Sequence, residues 1–69
     1  MPSTAIHDFR YNYDARALEV TFVTGRRYLY HDVPPGAADA FRSAFSKGRH
    51  FNAHIRDLYS FTELEPAFS

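Results

Sequence analysis

The sequence predicts an α+β domain: a three-stranded antiparallel β-meander followed by two short α-helices packed on one face (βββαα). Three observations predict it. Apolar residues alternate with polar ones through the first half of the chain. A double proline, Pro34-Pro35, interrupts that pattern. Beyond it, apolar residues recur at the spacing of a helical face.

The elements follow in order. Residues 5–13, "AIHDFRYNY", set Phe9, Tyr11 and Tyr13 on one side and Asp8, Arg10 and Asn12 on the other, as in a half-buried strand. "DARA" (Asp14 to Ala17) opens with a good turn former. "LEVTFV" then alternates Leu18, Val20 and Phe22 against Glu19, Thr21 and an apolar Val23. Thr24-Gly25 breaks the run, because glycine tolerates positive φ. "RYLYH" is the third strand.

Two registers are open for this last hairpin. A two-residue loop at Thr24-Gly25 sets Leu29 across from Val20 on the core face and turns Tyr28 and Tyr30 outward. A three-residue loop through Arg26 sets Tyr28 across from Phe22 and Tyr30 across from Val20, inside. A one-residue slip exchanges the faces. The second register is preferred, because two tyrosines bury more apolar area than Leu29 alone.

Val33-Pro34-Pro35 hands the chain over to helix. Proline cannot donate to a ladder but suits a first helical turn. "GAADAFRSAF" spaces Ala37, Phe41, Ala44 and Phe45 helically, with Gly48 beyond it at a C-cap position. "RHFNAHIRDLY" forms a second short helix, with Phe51, Ile55, Leu58 and Tyr59 as its stripe. The domain core is expected over about residues 5–60. Residues 61–69, "FTELEPAFS", are expected to be a tail in which Phe61 and Leu64 dock weakly and the end frays.

The totals bound the answer. Sixty-nine residues make one domain with little margin of burial. There is no cysteine, which excludes disulfides and cysteine zinc sites. Seven phenylalanines and five tyrosines must supply the packing instead. The N-terminus has neither the basic nor the apolar region of a signal peptide, and no run is long enough to span a membrane. A cytoplasmic protein is the expectation. Eight basic and eight acidic residues cancel, unlike a typical strongly basic nucleic-acid binder. Yet "KGRHFNAHIR" (Lys47 to Arg56) holds no acid, so a local basic patch is allowed.

Several landmarks together resemble one family. "YDARALEVTF", then Gly25, "YLY", "VPP" and "SKGRHFNAHIRDLY" follow the order of the KTSC domain, from about Tyr13 to Tyr59. That module is named for its occurrence at the C-terminus of some lysyl-tRNA synthetases, and it also stands alone in bacteria. Gly25, Val33, Pro34, Gly48, Phe51, Asn52, Ile55 and Tyr59 fall on its structural landmarks. The association with a tRNA-binding enzyme implies RNA as a ligand.

The residues themselves allow the same reading. Arg26, Arg27, Lys47, Arg49 and Arg56 can neutralise phosphates, and Tyr28, Tyr30 or His50 can stack on unpaired bases. Against this, the tyrosines can be core and the arginines merely solvated. "SKGRHFN" offers backbone N–H groups to an anion but lacks the P-loop pattern; an ordinary turn, capped by Gly48 and Ser46, is the plainer reading. Asn52 and Arg56, four apart, either tie the second helix to the sheet or clamp a phosphate. His50, His54 and Asp57 share a predicted helix face with zinc-like chemistry, but the face is open and Arg49 and Arg56 oppose a cation. No nucleophile–base pair is evident, so no enzyme and no cofactor is expected. The expectation is a small non-catalytic binding module, with RNA as the ligand. The alternative is a protein partner, or a second copy, paired along an exposed sheet edge.

Overall fold

The computed structural model describes residues 5–68. Residues 1–4, which begin the segment read above for a leader, and residue 69 lie outside the described residues. The elements are β1 (Ile6–Asn12), β2 (Ala17–Phe22), β3 (Arg27–Tyr30), α1 (Pro35–Ser43), α2 (Lys47–His54) and β4 (Phe61–Leu64). The α+β class holds, but the sheet has four antiparallel strands in the order β1-β2-β3-β4. The fourth strand corrects the three-strand expectation. "FTEL", read above as part of a fraying tail, pairs with β3, setting Phe61 across from Tyr30 and Leu64 across from Arg27.

The helix-facing side of the sheet carries Leu18, Val20 and Tyr30, all buried. With Val33, Ala38, Phe41, Phe51 and Ile55 they form the core. Phe9 of β1 meets Phe41 of α1 edge-on at 4.8 Å. Phe51 of α2 meets Phe22 at 5.3 Å and Tyr30 at 5.4 Å. A bulge between Ile6 and Asp8 restores Ile6 to the core side, which strict alternation from Phe9 would deny it. Tyr13 lies past the end of β1 and is half exposed, contrary to its expected place on the strand's inner face.

The β2–β3 hairpin takes the predicted face but not the predicted partners. Tyr28 lies across from Val20 and Tyr30 across from Leu18, two residues away from the expected register. The reason is the position of the loop. Gly25 N–H donates to Phe22 O at 2.8 Å, and Phe22 N–H donates to Arg26 O at 2.9 Å. The loop is therefore Val23-Thr24-Gly25, a turn followed by a left-handed glycine (φ +92°). A shift of two keeps every side chain on its face, so the tyrosines stay inside.

The connection to α1 is tied to the sheet. Val33 N–H donates to Arg16 O, and the Tyr11 hydroxyl donates to Val33 O. Pro34 occupies the N-cap position and Pro35 the first turn, as predicted. α1 ends at Ser43, which leaves Phe45 outside it and fully exposed rather than on the stripe. Gly48 does not cap α1 either; it lies in the first turn of α2. Ser46 is the N-cap of α2, accepting from the Arg49 N–H at 3.3 Å. α2 stops at His54, so Leu58 is exposed while Phe51 and Ile55 stay buried.

The C-terminal segment closes over the hairpin. Ala67 N–H donates to Gly25 O at 2.8 Å, and the Phe68 ring meets His7 edge-on at 5.7 Å. A Cβ on Gly25 would stand 3.0 Å from Phe68 O and 3.1 Å from its ring. Among the described residues, no helix is long and apolar enough to cross a membrane.

Candidate functional site

The two helices cover β1 and β2 but leave part of the β3–β4 half of the same face open. There the chain forms a groove of about 370 Å³, lined by Phe22, Tyr28, Tyr30, Phe51, Arg26 and Arg56. Core-facing alternation explains the rings: Phe22, Tyr28 and Tyr30 all point toward the helix side. Phe51 forms the floor from α2. Arg56 arrives by a different route. Phe51 O accepts both Ile55 N–H at 3.0 Å and Arg56 N–H at 2.9 Å, which closes the helix with one wide turn. Arg56 is thereby carried off the helix onto the groove's rim, and does not share a helix face with Asn52 as expected. Asn52 stands exposed on α2.

The rings make a continuous aromatic surface. Tyr28 meets Phe22 at 5.5 Å and Tyr30 at 6.4 Å, both edge-on. Phe61 of β4 stacks on Tyr28 at 5.2 Å with 24° between the planes. The Arg26 guanidinium lies 5.6 Å from the Tyr28 ring centre. The same guanidinium makes a two-pronged ion pair with Glu63, at 2.9 and 3.0 Å. This bond keeps the Glu63 carboxyl below its ordinary pKa and raises that of Arg26. Burial, and then Tyr28, push the Tyr30 phenol up to about 12, so it is neutral throughout the physiological range.

The residues proposed from sequence fall on three surfaces. Arg26, Tyr28, Tyr30 and Arg56 share the groove, although Tyr30 is almost wholly buried and serves as its wall. Arg27 points to the opposite side of the sheet, where it pairs with Glu19 at 3.0 Å and donates to Glu65 O. Lys47, Arg49 and His50 lie at the start of α2. Lys47 donates to Ala44 O at 2.8 Å, and Arg49 is exposed. His50 packs between Phe41 and His54, and desolvation, His54 and Lys47 together lower its pKa. Asp57 lies beyond the end of α2, away from the helix face it was expected to share with His50 and His54. No group of three metal-ligating side chains forms among the described residues.

Sequence reasoning missed Phe61 and Glu63. "FTEL" gives no period-two signal, since its two apolar residues are three apart and fall on opposite faces of the strand.

Comparison with known proteins places this geometry. The model of the KTSC domain matches residues 2–59. A lysine–tRNA ligase of Nostoc punctiforme is 34% identical over 61 residues, which are 88% of this chain but only 11% of the ligase. An uncharacterized protein of Stutzerimonas stutzeri is 38% identical over 52 residues, 75% of this chain and 73% of that protein. The crystal structure of a KTSC domain protein from Yersinia pestis aligns with a TM-score of 0.84 at 34% identity, over 93% of this chain and 90% of that one. Sequence and fold agree, and the chain belongs to the KTSC domain family.

Proposed function

We propose that the domain is a small non-catalytic binding module whose groove takes single-stranded RNA. One observation carries the reading: an aromatic surface, left uncovered by the helices, lies between two arginines, Arg26 and Arg56. Aromatic rings stack on bases of any sequence, each stack contributing roughly 1–3 kcal/mol. Arginines at either end suit the phosphates between stacked bases. Similarity to part of a lysine–tRNA ligase supports a nucleic-acid setting.

An amide chemical-shift titration with a pool of short single-stranded RNAs, at low and then moderate salt, tests it. Shifts should concentrate on residues 22–30 and 51–63 and weaken as salt rises. Arg56→Ala should weaken binding and lower the salt slope by about 0.7, the value for one single-strand phosphate. Arg49→Ala, away from the groove, should leave both unchanged. An absence of shifts at high micromolar RNA would rule out single strands.

A second reading, a protein partner or second copy on the sheet edge, is favoured by β1. It is a seven-residue edge strand. Such pairing would persist at a salt concentration that dissociates RNA.

A further inference from the structure

Two residues that line the groove, Tyr28 and Arg26, are already engaged by the chain itself. Phe61 lies flat on Tyr28, where a stacked base would lie. Glu63, two residues on, puts both carboxylate oxygens on Arg26, where a phosphate would sit. An aromatic ring followed by an anion on an extended backbone reproduces the recognition elements of a single-stranded nucleotide. We propose that β4 is an intramolecular stand-in for the ligand, a strap that must lift from Tyr28 and Arg26 before RNA engages them. The proposal rests on the RNA reading of the groove.

The strap's attachments suit a reversible role. β4 has only four residues, and the side chains of Phe61, Thr62 and Glu63 are largely exposed. Phe61 keeps about half of its surface in water (53%), and the Arg26–Glu63 pair is similarly open (58% and 43%). Exposed ion pairs contribute little and are screened by salt. The strand is held by its ladder to β3, from Tyr30 opposite Phe61 to Arg27 opposite Leu64, and at its two ends, where His31 N–H donates to Ser60 O at 2.9 Å and Ala67 N–H donates to Gly25 O at 2.8 Å. No residue of β4 belongs to the buried core, so the strand can unpair from β3 while Leu18, Val20, Phe41 and Phe51 stay packed.

The test compares wild type with Glu63→Gln, an exposed change that removes the charge but preserves shape. A fluorescent single-stranded oligouridine is the probe, titrated by anisotropy, with hydrogen exchange followed in the same complexes. Glu63→Gln should tighten binding by roughly 1.5- to 5-fold, the range spanned by exposed ion pairs. Saturating RNA should speed exchange at the amides of residues 61–64 while those of Leu18 and Val20 remain protected. If wild type binds RNA but Glu63→Gln binds equally and residues 61–64 stay protected, the strap is overturned and the RNA reading stands. If neither protein binds at high micromolar concentration, the RNA reading fails and the strap fails with it. Phe61→Ala provides a second variant for the same comparison, since its removal clears Tyr28 without altering charge.

Discussion

Phe9 and Phe61 occupy matching places at opposite edges of one sheet, both on the side that faces the helices. Phe9 on β1 lies under Phe41 of α1 and is half-buried in the core. Phe61 on β4 makes its ring contacts, among the described residues, with Tyr28 and Tyr30, and half of it meets water. The residue and the strand type are the same; the difference is where the helices end. α1 and α2 contain nine and eight residues, enough to roof half of the face. The roofed half serves for stability, and the open half presents rings that a ligand can reach. In so small a domain the core and the binding surface are one aromatic sheet face, divided by a helix boundary.

Substitutions can sharpen that division. The largest effect is expected at Phe41→Ala, under the roof, which should cost about 3–5 kcal/mol in denaturant unfolding. A 69-residue domain has roughly 3–10 kcal/mol in all, so this variant should be largely unfolded or close to it. Gly25→Ala comes next, at roughly 1–3 kcal/mol, because the left-handed backbone strains any side chain there. The added Cβ would also press on Phe68, so the C-terminal segment should exchange its amides faster. Phe61→Ala, beyond the roof, should cost only about 1 kcal/mol while changing ligand affinity. A loss at Phe61 equal to that at Phe41 would erase the distinction between the two halves.

A further effect is invisible near neutrality. Tyr30 stands at the boundary, and its pKa is raised from 10.0 to about 12 in the fold. The unfolded chain therefore releases this proton first. The associated stability is complete below pH 10 and is lost as pH rises toward 12. Denaturation midpoints should fall across that window, and Tyr30→Phe should flatten the fall.

Much of this was legible in the sequence. Alternation through Leu18, Val20 and Phe22 gave the central strand, and Pro34-Pro35 gave the switch to helix, because both signals are local. The inward face of Tyr28 and Tyr30 followed from burial, but their partners did not. Placing the loop at residues 23–25 or 24–26 leaves the faces alike, so hydrophobic pattern cannot separate them. Phe45 and Leu58 were misplaced because helical spacing continues past the point where each helix stops. Arg27 was assigned beside Arg26, yet adjacent strand residues point to opposite faces, and that alternation was itself readable. The groove was not readable, since it depends on where α2 ends, which carries Arg56 beside the β2–β3 hairpin.

The contact between His7 and Phe68 has a further consequence. The first and last described residues, Ala5 and Phe68, lie at one corner of the molecule, beside the β2–β3 hairpin. A host protein could carry such a unit in a surface loop with its own two attachment points hardly separated, or wear it as an appendage that adds little length. The same closeness makes the fold a good subject for circular permutation. A short bridge from residue 68 to residue 5, with new ends cut in the exposed Tyr13–Arg16 turn, should preserve the groove and leave its tyrosines in place.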